Sequence, residues 1–237
     1  MQEITVSNLR IDLIKKNIKN MHLSVHPPNG RVRIAVPRNT NEEQVRMYII
    51  SKLDWIRKQQ KKLASQNRIS ARDYVSGESH YFLGERYLLN VIYTTGKQMV
   101  EIANKTQMDL FVRKESSVEQ RERVMNEWYR KELKIMIPDY ISKWESKMNV
   151  EVLDWRIKRM KTKWGSCNTE QKRIWLNLEL AKKAPHCLEY VIVHEMTHLL
   201  ERKHNNQFKA YMDQFIPNWR AIRNELNHTL FESNEKY

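Results

Sequence analysis

Residues 193–205 read "VHEMTHLLERKHN", and the reading of this stretch decides the rest. On a helix, residues four apart stand one turn above each other on the same face. His194 and His198 therefore aim two imidazoles at one point, with Glu195 beside the first. That is the mechanical content of H-E-x-x-H: two metal ligands and a carboxylate placed to take a proton from a metal-bound water. Chance alone yields the pattern in roughly two of every hundred shuffled chains of this composition, so its surroundings have to carry the reading. They are apolar, "YVIV" before and "LL" after, and half-buried histidines need a partner.

His204 follows six residues after His198. Six residues of straight helix turn a side chain about 240° away, so the helix is expected to end near Arg202 and let His204 swing back. Asn205 is a good cap for the helix that follows. Three neutral imidazoles would hold tetrahedral zinc and leave a fourth position for water, the open arrangement of a catalytic site. No fourth ligand stands nearby, and Glu201 reads as a solvated helix residue.

The composition agrees with a folded, soluble chain. Of 237 residues, 41% are hydrophobic and 30% charged, and Gly 5 and Pro 6 leave little room for low-complexity linkers. Cys167 and Cys187 are the only cysteines, which excludes a four-thiolate zinc site and a disulfide framework and fits a reducing compartment. The amino terminus lacks the apolar core of a secretory signal, and "YVIV" at 190–193 is too short to span a bilayer. Cytoplasm is the expected location, with no membrane partner. The net charge of +14 is compatible with nucleic-acid association, yet the lysines and arginines are spread along the whole chain and match no DNA-reading motif.

Working outward, "MHLSVH" (21–26), "PPNG" (27–30) and "RVRIAVP" (31–37) read as a hairpin with a period of two. "NTNEEQVRMYIISKLDWIRKQQKKLA" follows as one amphipathic helix with cap-type residues in front. Residues 80–93, 99–103 and 108–113 return to strand, and 116–149 to helix, which Pro138 should kink or divide. "LDWRIKRMKTKWGSC" (153–167) reads as a strand ending in a turn at Gly165, and "RIWLNLEL" (173–180) as its return. Pro185 suits the first turn of the helix that carries the histidines. A last helical stretch runs over 206–227, interrupted at Pro217. The expected class is α+β: a β-rich amino-terminal domain with one amphipathic helix over 1–115, then a zincin-like helical metallopeptidase domain over 116–237 whose active-site helix carries HExxH.

The motifs "FLGERYLLNV", "KWGSC", "IWLNLELAKKAP" and "YVIVHEMTHLLERKHNNQF" occur in an order that resembles the YgjP-like metallopeptidase family, related to the SprT-like and broader zincin peptidases, over nearly the whole chain. The resemblance implies one zinc per chain held by His194, His198 and His204, with Glu195 as general base and a peptide or protein as substrate. Two positions depart from the family pattern. Asn205 stands where a serine is common, and Phe208–Lys209 keeps only the first of an aromatic pair.

Lys163 and Trp164 are further candidates for substrate contact, if the 161–167 strand pairs with an extended peptide; against that, Trp164 suits a core anchor and Gly165 a simple turn. Cys167 reads as a buried inert thiol rather than an inhibitory ligand. Two rival functions use the same residues differently. One is zinc-dependent hydrolysis of a nucleotide phosphoanhydride, although the chain has no Gly-rich phosphate loop. The other is a DNA-associated binding protein.

Overall fold

The computed structural model describes residues 2–26, 30–65 and 72–228, and the chain divides into two compact units at 69/70. In the first, β1 (Gln2–Val6), β2 (Leu9–Lys16), β3 (His22–His26) and β4 (Arg31–Pro37) form a sheet in the order β1-β2-β4-β3. Antiparallel β1 and β2 are joined by Ser7 and Asn8, both at positive φ, the backbone of a tight two-residue hairpin turn. The expected hairpin is present as antiparallel β3 and β4, while residues 27–29 of its turn lie outside the described residues. Val32, Ile34 and Val36 of β4 alternate inward onto Val45, Ile49 and Ile56. The helix expected over 42–64 is two, α1 (Glu42–Ser51) and α2 (Leu53–Ser65), because Lys52 closes the first by donating its backbone N–H to the Ile49 and Ile50 carbonyls.

The second unit starts with the same connectivity. β5 (Ser79–Phe82), β6 (Glu85–Tyr93), β7 (Met99–Ile102) and β8 (Gln107–Val112) pair in the order β5-β6-β8-β7. The hairpin turn at Leu83–Gly84 again has positive φ at both residues, and the parallel pair is again the central one. This sheet, grouped with the amino-terminal part in the sequence reading, lies in the second compact unit.

α3 (Val118–Met148) opens with a capping box between Ser117 and Gln120 and closes at Asn149 in the left-handed conformation. Its buried stripe, Met125, Tyr129, Leu133, Ile137, Ile141, Trp144 and Met148, packs on β7, β8 and the later helices. The helix runs through Pro138 without the division that was one of the two expected outcomes there. Pro138 and Lys134, whose carbonyl loses its partner, are both exposed, so the interruption lies on the solvent side of the helix, where an unpaired carbonyl costs little.

β9 (Asp154–Lys158), β10 (Gly165–Asn168) and β11 (Arg173–Asn177) form a sheet in the order β10-β11-β9. A 3-10 helix (Leu178–Lys182) leads to α4 (Pro185–Thr197), with Pro185 in its first turn. α5 (Asn206–Phe215) and α6 (Trp219–His228) follow, separated around Pro217 as expected, and both pack on α4. The class is thus mixed α+β. Among the described residues no helix is long and apolar enough to cross a membrane.

Candidate metal centre

α4 is the most enclosed helix of the second unit: Cys187, Leu188 and every residue from Tyr190 to Thr197 are buried. It ends sooner than the sequence suggests, with His198 as its C-cap and tight turns at 199–201. The chain is therefore free to double back before α5, whose N-cap Asn205 accepts the Phe208 N–H. His204 is returned in this way to within reach of α4. Its Nε2 lies 3.1 Å from His194 Nε2, and one ring nitrogen from each of His194, His198 and His204 falls within 4.8 Å of the others.

That spacing fits a shared cation. Two nitrogens bound tetrahedrally to one zinc ion, each at ~2.0–2.1 Å, lie roughly 3.4 Å apart. Two unprotonated imidazole nitrogens at 3.1 Å repel unless a proton or a cation lies between them. Burial, then the neighbouring histidines and Arg223, drives His194 well below ordinary histidine basicity, and burial likewise lowers His198 and His204. All three are thereby held neutral, the form in which imidazole binds metal. His198 donates its Nδ1–H to the Glu201 carbonyl at 3.2 Å, which leaves Nε2 with its lone pair. Glu201 thus enters through its backbone, a role that spacing alone did not indicate.

Phe208 is the residue the sequence underrated. It is 2% exposed, and its ring centroid sits 5.0, 4.8 and 4.7 Å from those of His194, His198 and His204. One rigid apolar wall orients all three imidazoles.

Glu195 is 1% exposed, and its Oε1 has no hydrogen-bond partner among the described residues. Burial pushes its carboxyl up to about 8, against the opposing pull of the Lys163 charge. Its side chain lies directly against the backbone of β10: a Cβ built on Gly165 would stand 2.6 Å from Glu195 Oε1. Gly165 is absent from the positive-φ positions, so space rather than backbone conformation requires glycine here.

Lys163 and Trp164 part company. Lys163 is exposed, while Trp164 is buried under the Lys183 ammonium, which stands 5.6 Å from its ring. Cys167 is half-buried, with its thiol pushed up to about 12 by burial and by Glu195.

The segment entering β10 is held by Asn177, which is fully buried. Its Nδ2 donates to the Met160 and Lys163 carbonyls at 2.9 and 2.7 Å, and its Oδ1 accepts from the Met160 and Glu179 N–H groups. Asn177→Ala strips these buried backbone groups of their partners. It is expected to lower stability by about 2–4 kcal/mol, read from the urea midpoint at unchanged slope.

No match is found among curated proteins. Two solved structures are similar over part of the chain. One is the metallopeptidase zymogen of Pyrococcus abyssi abylysin, at 16% identity over 40% of this chain and 94% of that one, with a TM-score of 0.38. The other is the metallopeptidase zymogen of Methanocaldococcus jannaschii jannalysin, at 23% identity over 38% and 93%, with a TM-score of 0.35. The family model for the YgjP-like metallopeptidase domain matches residues 19–229, most of the chain including every residue of this site, and the protein belongs to that family.

Proposed function

We propose that the protein is a zinc-dependent peptidase of zincin type, with His194, His198 and His204 as ligands and Glu195 as general base. The observation that carries this reading is the convergence of three neutral imidazoles beside buried Glu195, whose Oε1 has no hydrogen-bond partner among the described residues. Bound there, zinc would supply a Lewis acid that polarises a scissile carbonyl and acidifies a water molecule. Glu195 would take the proton from the attacking water on its carboxylate oxygen and pass it to the leaving nitrogen. Its raised proton affinity suits a group that must hold that proton between the two events. Phe208 and the Glu201 carbonyl keep the imidazoles in place.

β10 lies at the edge of its sheet, and an extended peptide added along it would pass Glu195. Lys163 is then the exposed residue placed to meet substrate, and Trp164 the anchor beneath the strand. A peptide or protein remains the substrate class. Nucleic-acid association rests on the net charge alone, and a cytoplasmic setting on the two free cysteines.

Metal analysis tests the ligand set. The wild-type chain is expected to carry about one zinc and the His198→Ala variant almost none, since removing a ligand from a three-histidine site weakens zinc by orders of magnitude. Chelation is expected to stop peptide cleavage and added zinc to restore it. A wild-type chain that takes up no zinc refutes the proposal.

A further inference from the structure

Lysine and arginine are spread along the whole chain, but the carboxylates that balance them are not. Residues 70–237 hold 28 Lys and Arg against 23 Asp and Glu, a surplus of five. Two short segments hold seven against one, and so more than account for it. Residues 158–168 enter and form β10, and carry Lys158, Arg159, Lys161 and Lys163. Residues 198–209 run from His198 past His204 to Phe208, and carry Arg202, Lys203 and Lys209 with the single acid Glu201. The excess positive charge is therefore local, and it lies in the two segments that frame the metal centre.

Chain connectivity holds these cations close to the histidines and Glu195. Arg202 and Lys203 lie on the loop between His198 and His204, whose ring centroids are 4.7 Å apart. Lys209 follows Phe208, which touches all three imidazoles. Lys163 stands two residues before Gly165, whose backbone lies against Glu195. Asn177 fastens the loop that carries it: its Nδ2 holds the Met160 and Lys163 carbonyls, and its backbone N–H donates to the Trp164 carbonyl at 2.8 Å. Lys161 and Lys163 are thus presented on a short loop tied at both ends. Lys161, Lys163, Arg202, Lys203 and Lys209 are all exposed, and among the described residues none of the five side chains forms an ion pair. Arg159, by contrast, is tied to Glu122 at 2.5 Å. The carboxylate of Glu201 is engaged by the Lys203 backbone N–H at 3.0 Å.

Charges of one sign around a cleft raise the local concentration of the opposite charge and repel their own kind. A peptide laid along β10 toward the histidines brings its flanking side chains within a Debye length, ~8–10 Å, of several of these cations. Acidic side chains gain there and basic ones lose, and the gain appears in binding and encounter more than in the chemical step. We propose that the substrates are acidic peptide segments, with Asp or Glu on the residues flanking the scissile bond, selected by a cationic rim of Lys161, Lys163, Arg202, Lys203 and Lys209. This rests on the peptidase reading and names the class of peptide that the site takes.

The test measures kcat/KM of the zinc-loaded wild type on peptides of one sequence with Glu, Gln or Lys at the flanking positions. At low ionic strength the Glu peptide is expected to exceed its Gln twin about tenfold and its Lys twin about a hundredfold, chiefly through KM. Both ratios should shrink severalfold at about 1 M salt, where the Debye length is ~3 Å. The double variant Lys161→Gln, Lys163→Gln is expected to cut the Glu-to-Gln ratio severalfold. The double variant Arg202→Gln, Lys203→Gln, with zinc content checked on the same preparation, should do the same. As a control for general charge, Lys131→Gln with Lys134→Gln removes two exposed cations from α3 and leaves the ratio at the wild-type value. Equal rates on the three peptides at low salt overturn the proposal, as does a Glu preference that neither rim variant lowers more than the α3 variant. If the wild type cleaves none of the peptides, the peptidase reading fails by itself, and fluorescence anisotropy of the labelled Glu and Gln peptides decides the rim. Tighter binding of the Glu peptide, lost in Lys161→Gln, Lys163→Gln, sustains it, and equal binding overturns it.

Discussion

Glu195→Gln is expected to lower peptide cleavage by about 10²–10⁴-fold, the usual worth of a positioned general base, while zinc content stays at the wild-type level. The substitution keeps the volume and removes the ability to take a proton. It should not destabilise the chain, because Glu195 Oε1 is buried without a partner among the described residues and a neutral amide is cheaper to bury than a carboxylate. A melting temperature at or above that of the wild type is therefore part of the prediction. The pairing of outcomes separates this role from that of the histidines, where His198→Ala loses metal and activity together. Steady-state kinetics on one peptide, with metal analysis of the same preparation, provides the check. Activity within a few fold of wild type would remove Glu195 from the mechanism and leave the histidines as a binding site.

The convergence of the three histidines was legible because its message is local. His194 and His198 are related by one helical turn, and the return of His204 follows from a helix that has to stop. The stop itself comes earlier than the spacing suggested, at His198 instead of near Arg202, since the turns at 199–201 use carbonyls of the last helical turn and leave no pattern of apolar residues. Strand pair β1–β2 was not anticipated: its turn is Ser7–Asn8, without the glycine that marks the matching turn at Leu83–Gly84. The break at Lys52 was invisible for a similar reason, as good helix formers flank it and only backbone geometry separates α1 from α2. Gly165 against Glu195 joins residues 30 positions apart, and Phe208 meets the three histidines from a different helix. No periodicity encodes such contacts, which arise when β10 and α5 pack on α4.

Gly165→Ala puts the first of these long-range contacts to the test. The added Cβ would lie 2.6, 2.7 and 2.9 Å from Oε1, Cγ and Cδ of Glu195, closer than nonbonded atoms approach. Relief by backbone movement is costly, because Gly165 is in register with Leu176 on β11 and α4 is buried along the face that carries Glu195. The Glu195 side chain must turn instead. Displacing a catalytic group by about 1 Å costs roughly 10² in rate, and overpacking a closed site costs about 1–3 kcal/mol of stability. The expected variant therefore folds, retains zinc, binds peptide with nearly unchanged KM and has kcat reduced about a hundredfold. Adding Glu195→Ala removes Cγ, Cδ and Oε1 and with them the clash. The double variant should regain melting temperature without regaining kcat, so the two substitutions are non-additive in stability, as residues in direct contact are. A merely structural glycine predicts the opposite pattern, lost stability at nearly full kcat and no recovery in the double variant. That result would detach β10 from the positioning of the base and leave Glu195 to be held by α4 alone.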